Sequence, residues 1–198
     1  MAQHVPAIAD CVYVGIDHGA LTALQSKLPL LCAIGDFDSV TPQEKAYIEA
    51  HTTIAQLPAH KDETDTEIAL FYALEHGYDE IILYGGLGGR MDHTMANMYL
   101  LMHRELPLVL MDEHHYIQVL KQGTYQIPKR FQYLSFLALE KTCISETGVA
   151  YPLAKKWLTP SDIFPISNEI TGTCATITIH EGRVLMIQCE DAKKDSDM

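Results

Sequence analysis

Leu30-Leu31-Cys32-Ala33-Ile34-Gly35-Asp36-Phe37-Asp38-Ser39 runs from an apolar stretch straight into a glycine, two carboxylates and a hydroxyl. Thr41-Pro42-Gln43-Glu44 follows at once with the marks of a helix start. A short apolar run bounded in this way reads as a buried strand giving way to a loop. In extended backbone, side chains two apart share a face, so Asp36 and Asp38 point the same way. Two carboxylates converging at the carboxyl end of a strand suit a hard cation such as Mg²⁺, which keeps several waters and takes one or two carboxylates plus phosphate oxygens. An acidic turn fits the same five residues equally well, with Asp36 satisfying loop amides and Asp38 near a helix N-terminus. The flanking chain has to decide.

Upstream, Val12-Tyr13-Val14-Gly15-Ile16-Asp17 reads as a strand ending at a carboxylate, followed by a helix over about 18–27. Downstream, Thr41 is a good N-cap, Pro42 suits the first helical position and Glu44 closes a capping box, predicting a helix to about His51. Ile54-Ala55-Gln56-Leu57 is a short strand that Pro58 ends. Lys61 to Glu67 opens the next helix, with Thr64 and Glu67 as a second capping box, Ile68, Phe71 and Leu74 at core spacing, and His76-Gly77 as the stop. Glu80 to Tyr84 is a buried strand that runs into Gly85-Gly86-Leu87-Gly88-Gly89-Arg90-Met91-Asp92-His93. Met95, Met98, Met102 and Leu106 form a helical stripe expected to face the core, and Leu108 to Met111 is one more strand. This alternation predicts a doubly wound, mostly parallel sheet with ligands beyond the carboxyl ends of its strands, the edge where Asp17, Asp36, Asp38 and the glycine loop fall.

Beyond about residue 115 the pattern changes. Lys121-Gln122-Gly123 and Glu181-Gly182 each separate two short alternating segments, which predicts two hairpins. The expected architecture is an α/β domain over 1–118 followed by a smaller antiparallel β-sandwich domain over 119–198, with frayed residues from Asp191.

The totals agree. A chain of 198 residues with 47% hydrophobic and 20% charged residues can bury a real core. A formal net charge of −12 argues against nucleic-acid or anionic-membrane partners, and the longest apolar runs are too short to span a bilayer. Met1-Ala2-Gln3-His4 has neither a basic region nor a long apolar core, so no signal peptide is expected. Five cysteines, odd in number and without a Cys-x-x-Cys pair, fit buried reduced thiols in a cytoplasmic protein.

Four glycines between Gly85 and Gly89 let backbone amides approach a phosphate chain, with a helix N-terminus behind them. Neither the dinucleotide nor the P-loop spacing fits, because Arg90 and Met91 stand where glycine or lysine is required. Arg90 offers a bidentate fork to phosphate, and Asp92 either caps the helix or joins the acidic set. Asp62 and Asp65 flank Thr64, one placed to cap and the other to reach a cleft.

In order and rough spacing, Asp17-His18-Gly19-Ala20, Gly35 to Ser39, Thr64-Asp65, Gly86 to His93 and Asn97 resemble the thiamine pyrophosphokinases. Tyr133 to Phe136, Gly148 with Tyr151-Pro152-Leu153, and Ser167-Asn168-Glu169 resemble that family's thiamine-binding β domain. The family usually opens with a strand ending in a Gly-rich turn, whereas this chain reaches Val12 with almost nothing before it, and His18 replaces the usual glycine. The resemblance implies transfer of the diphosphate of ATP to thiamine, with Asp36, Asp38 and Asp65 as Mg²⁺ ligands, Asp62 a fourth carboxylate and Asp17 near the nucleotide. It further implies Gly86, Gly88, Gly89 and Arg90 on phosphates, Asp92, His93 and Asn97 orienting loop or nucleotide, and Ser167 with Asn168 on thiamine across a homodimer. A metal-dependent nucleotide phosphohydrolase and a non-catalytic thiamine- or nucleotide-binding module are the alternatives.

Overall fold

The computed structural model describes residues 5–56 and 62–191. By packing, the chain divides into Met1–Ile81 and Ile82–Met198. In the first unit, β1 (Tyr13–Ile16), β2 (Leu30–Gly35) and β3 (Thr53–Gln56) form a parallel sheet in the order β1-β2-β3. Parallel pairing requires crossovers. They are supplied by α1 (His18–Gln25) and α2 (Pro42–His51), and α3 (Asp65–Glu75) comes next in the chain. Side chains alternate across β2. Ala33 packs with Ala20, Leu21, Phe37 and Ile48 on one face, and Cys32 and Ile34 pack with Ala69 on the other. The sheet is therefore covered on both sides, as the continuous apolar run of β2 predicts.

The helix starts obey local chemistry. Glu44 N–H donates to Thr41 Oγ1 (3.3 Å) and Thr41 N–H donates to Glu44 Oε2 (2.8 Å), closing the expected capping box. At α3, Thr64 Oγ1 accepts from Glu67 N–H (3.1 Å). The expectations for Leu57, Pro58, Lys61 and residues 192–198 lie outside the described residues. Among the described residues no helix is long and apolar enough to cross a membrane.

The second unit begins within β4 (Ile81–Tyr84) and holds α4 (Met91–His103), β5 (Leu108–Met111), β6 (His115–Leu120), β7 (Gly123–Pro128), β8 (Tyr133–Ala138), β9 (Thr142–Thr147), β10 (Leu153–Leu158), β11 (Cys174–Glu181) and β12 (Val184–Cys189). Two sheets result, β4-β5-β6-β12-β8 and β10-β9-β11-β7. Leu120, Phe136, Val184 and Met186 of the first meet Ile127, Ile144, Ile177 and Ile179 of the second in one buried cluster. This is a sandwich core.

Three expectations change. The strands expected in one parallel sheet are split, because β4 and β5 join the sheet of β6, β12 and β8. Neither predicted hairpin is a hairpin: β6 pairs with β5 and β12 while β7 pairs with β11, and β11 and β12 lie in different sheets. Both turns carry the chain from one layer of the sandwich to the other, so Leu120 and Ile127 meet across the core instead of along a ladder. At the second turn Gly182 has φ 83°, and a Cβ there would lie 2.7 Å from the Lys141 carbonyl oxygen. Arg183 N–H donates to Thr142 Oγ1 (3.2 Å), stitching the turn to β9. Finally, the buried face of α4 carries Asn97, Leu100 and Leu101, while Met95 is 46% exposed. At roughly 100° per residue, the methionine stripe is centred about 140° around the helix from that face. Asn97 Nδ2 donates to Gly86 O (2.8 Å) and sets that rotation.

Two glycines of the first crossover make opposite predictions. A Cβ on Gly15 would stand 2.5 Å from both Cα and Cβ of Ala20, whereas one on Gly19 would meet nothing within 4 Å. Gly15→Ala is expected to cost about 1–3 kcal/mol in urea unfolding, because α1 must lift off β1. Gly19→Ala is expected to be neutral or stabilising by about 0.4–1 kcal/mol. Equal effects would contradict this packing.

Candidate active site

Asp17 leaves β1 with φ 45°, a left-handed conformation that a non-glycine residue adopts only when its surroundings hold it. Its N–H donates to Ile34 O (3.0 Å) and its Oδ1 accepts from Phe37 N–H (3.2 Å), so it bridges to β2 and the loop beyond. Gly35 makes that crossing feasible. A Cβ there would fall 1.9 Å from Asp17 Oδ1.

Asp36 begins the loop after β2, and Asp65 is the first residue of α3. With Asp17 they form a half-buried group in which one carboxylate oxygen from each lies within 4.8 Å of the others. Burial first, then a hydrogen bond with Asp65 and the negative field of Asp65 and Asp36, pushes the Asp17 carboxyl up to about 7 against the pull of the Phe37 amide. Crowded carboxylates of this kind are hard oxygen donors, and a divalent cation between them would offset the repulsion that adds to the effect of burial on Asp17. The donor set fits Mg²⁺.

Asp38 and Asp62 are not in this group. Asp38 is exposed, and its N–H donates to Asp36 Oδ1 (3.0 Å). Asp62 is exposed in the bend before α3. Asp36 accepts a loop amide, as the acidic-turn reading expects, and it joins a carboxylate group with Asp17 and Asp65, not the expected convergence with Asp38.

The glycine loop leaves β4, and Gly85 N–H donates to Met111 O (3.3 Å), setting the ends of β4 and β5 side by side. Gly88 (φ 82°) and Gly89 (φ 65°) are consecutive left-handed residues just before Arg90, the N-cap of α4. They bring the loop to the N-terminus of α4, whose free amides suit an anion. Thr94 Oγ1 donates to Gly88 O (3.0 Å), and the buried Asn97 holds Gly86 O, so the loop is tied down from the helix it precedes. Arg90 and Asp92 form an exposed bidentate pair, Nε–Oδ1 3.1 Å and Nη2–Oδ2 2.6 Å. The Arg90 guanidinium holds the Asp92 carboxyl down to about 2. An exposed pair is weak, so the fork remains available to an incoming phosphate. His93 is exposed, and its N–H donates to Asp92 Oδ1 (3.1 Å).

In the β domain Ser167 is exposed at φ 59°, and its N–H donates to Ser135 Oγ (2.9 Å). Asn168 is buried, with its side chain fully engaged. Oδ1 accepts from Tyr151 N–H (3.0 Å) and Glu169 N–H (2.9 Å), while Nδ2 donates to Tyr151 O (3.0 Å) and Glu146 Oε2 (3.0 Å). Burial raises the Glu146 carboxyl to about 7 despite the Asn168 bond. Sequence reasoning passed over Glu146. Its signal was the alternation Thr142, Ile144, Glu146, which puts an acid on the inward face of a strand. Asp17 was expected at the same sheet edge, toward the nucleotide; that its carboxylate stands with those of Asp36 and Asp65 emerges only when the fold brings β1, β2 and α3 together.

Asp17 (ordinarily 3.8) and Glu146 (ordinarily 4.5) both titrate near 7 in the folded chain, so the folded state holds extra protons between those limits. Their contribution is fully present below about 4 and is lost as pH rises through about 7. In chelator, the thermal midpoint is expected to be lower at pH 8 than at pH 5.5, and Asp17→Asn and Glu146→Gln should each narrow that gap. A gap unchanged in both variants would contradict the burial described.

Comparison with known proteins matches the pattern "Thiamin pyrophosphokinase, catalytic domain" to residues 8–110 and "Thiamin pyrophosphokinase, vitamin B1 binding domain" to residues 114–184. The chain is similar to a thiamine pyrophosphokinase of Bacillus subtilis (strain 168), 34% identical over 188 residues, covering 91% of this chain and 88% of the relative. A crystal structure of the Bacillus subtilis protein superposes with TM-score 0.85 at 32% identity, covering 94% of this chain and 91% of the other. One from Geobacillus thermodenitrificans gives 0.84 at 31%, covering 94% and 90%. With both domain patterns matched in order, the chain belongs to the thiamin pyrophosphokinase family.

Proposed function

We propose that the protein transfers the terminal diphosphate of ATP to the hydroxyethyl oxygen of thiamine, giving thiamine diphosphate and AMP. The observation that carries this reading is the Asp17, Asp36 and Asp65 carboxylate group in a chain with both domains of the family. The work is divided between residues 1–118 for ATP and metal and 119–198 for thiamine, in keeping with the two family matches. A homodimer with the thiamine site at its interface belongs to the same proposal. So does a cytoplasmic location, which suits the free cysteines, of which Cys32 and Cys143 are buried as expected while Cys11 and Cys174 are exposed.

Chemically, the thiamine alcohol attacks the β-phosphorus in line, a new P–O bond forms, and the bond to the α-phosphate oxygen breaks as AMP leaves. Bound Mg²⁺ supplies charge neutralisation for the phosphate oxygens. Asp36, Asp65 and Asp38 are the proposed holders of the ion or its waters, with Asp17 toward the nucleotide and Asp62 as a further carboxylate. The amides of Gly86, Gly88 and Gly89 cradle phosphate oxygens, and Arg90 turns its fork from Asp92 to phosphate. Asp92, His93 and Asn97 keep the loop in place. A carboxylate of the acidic group takes the alcohol proton. Ser167 and Asn168 present thiamine.

Incubated with ATP, Mg²⁺ and thiamine, the protein is expected to release AMP in a one-to-one ratio with thiamine diphosphate. ADP, or ATP consumption independent of thiamine, would defeat the proposal and favour a phosphohydrolase. Mg²⁺ is expected to raise the thermal midpoint, and Asp36→Asn and Asp65→Asn should abolish that rise. Asp38→Asn should stay folded but lose roughly a hundredfold or more in turnover, the scale of removing one group that stabilises transition-state charge. Wild-type turnover in that variant would remove Asp38 from the metal site.

A further inference from the structure

Glu146 is the only buried carboxyl among the described residues, 1% exposed on the inward face of β9. Burying a carboxyl costs desolvation that an apolar side chain of the same volume avoids, so its presence calls for something only an acceptor provides. That something is Asn168 Nδ2, 3.0 Å away. The Asn168 amide in turn clamps two segments together. It holds both the N–H and the C=O of Tyr151, as a strand neighbour would, and it accepts the N–H of Glu169. Around it the backbone is closed on both sides: Leu134 and Asn168 exchange N–H···O bonds of 2.7 and 3.0 Å, and Ala150 N–H donates to Glu169 O (2.9 Å). Ser167 sits between these fixed points in a left-handed conformation that its neighbours must maintain. With all four hydrogen-bonding positions of Asn168 used inside the chain, the exposed group of the pair is Ser167.

We infer that Glu146 is a positioning residue for the thiamine site, acting through Asn168 to fix the Ser167 turn and the adjoining Tyr151 segment. The inference rests on the proposed assignment of Ser167 and Asn168 to thiamine. Losing the acceptor leaves a buried N–H unpaired and removes one of the four bonds that hold the amide in place. Tyr151, 74% exposed on the other side of the clamp, then loses its fixed backbone as well.

The test compares Glu146→Met, which keeps volume and removes the acceptor, with Glu146→Gln, whose amide oxygen still accepts from Asn168. Glu146→Met is expected to raise the KM for thiamine roughly tenfold, the scale of one unpaired buried donor, while the KM for ATP and kcat stay within about twofold. Glu146→Gln should restore the wild-type KM. Should Glu146→Met fail to fold, Glu146→Thr, which suits a strand and whose hydroxyl is too short to reach Asn168, carries the same expectation. An unchanged KM for thiamine, a parallel rise in both KM values, or a Gln variant as impaired as Met would each overturn the inference. A wild-type protein without thiamine-dependent AMP formation would instead overturn the functional reading on which it stands.

Discussion

The first unit depends on one contact: the Asp17 carboxylate lies over the α-carbon of Gly35 and accepts the amide of Phe37. It joins the ends of two parallel strands that local hydrogen bonding alone would leave as separate loop starts. It also holds three carboxylates close enough to repel one another. The cost appears as the raised Asp17 carboxyl and as left-handed backbone at Asp17 and Phe37. Phe37 meets it by burying its ring with Ala20, Leu21 and Ile48. Strain at the loop is thus held by packing beneath it, a usual arrangement where a site must be ready before its ligand arrives.

The second unit solves a comparable problem with an amide. Asn168 takes the place of a strand neighbour for Tyr151, and Glu146 completes its hydrogen bonding from inside the sandwich. A fully satisfied buried polar group adds specificity to a core that is otherwise aliphatic and aromatic. Connections that cross between the sheets, among them β8 to β9 and β11 to β12, make this arrangement reachable, since they put β9 and β11 in the layer that faces β8 and β12.

Much of this was legible residue by residue. The capping box at Thr41, the strand at Leu30 to Gly35, the glycine loop before α4 and the antiparallel β character of the C-terminal part all follow from interactions within a few residues. The exceptions share a cause. Glu181-Gly182 resembles a hairpin turn, yet the partners of β11 are β9 and β7, and no local pattern distinguishes a turn within a sheet from one between sheets. The methionines of α4 have the spacing of a core stripe, but the rotation of the helix is set by Asn97 reaching Gly86. For the same reason Asp38, two residues from Asp36 on the expected face, lies outside the carboxylate group while Asp17 and Asp65 lie within it.

By itself the sequence determined the elements of the first 111 residues, their order and the supply of carboxylates, glycines and amides, because propensity, capping and periodicity act over one or two turns of chain. β9 and β10 were not among the elements determined in this way. Tertiary structure decided which strands share a sheet, which carboxylates face one another and which acid is buried behind Asn168. Those outcomes depend on contacts between residues 20 to 50 positions apart, such as Asp17 with Phe37, Gln126 with Thr176, and Glu146 with Asn168. Such contacts form only when whole layers pack, and layer packing is a property of summed buried surface that no single stretch of sequence displays.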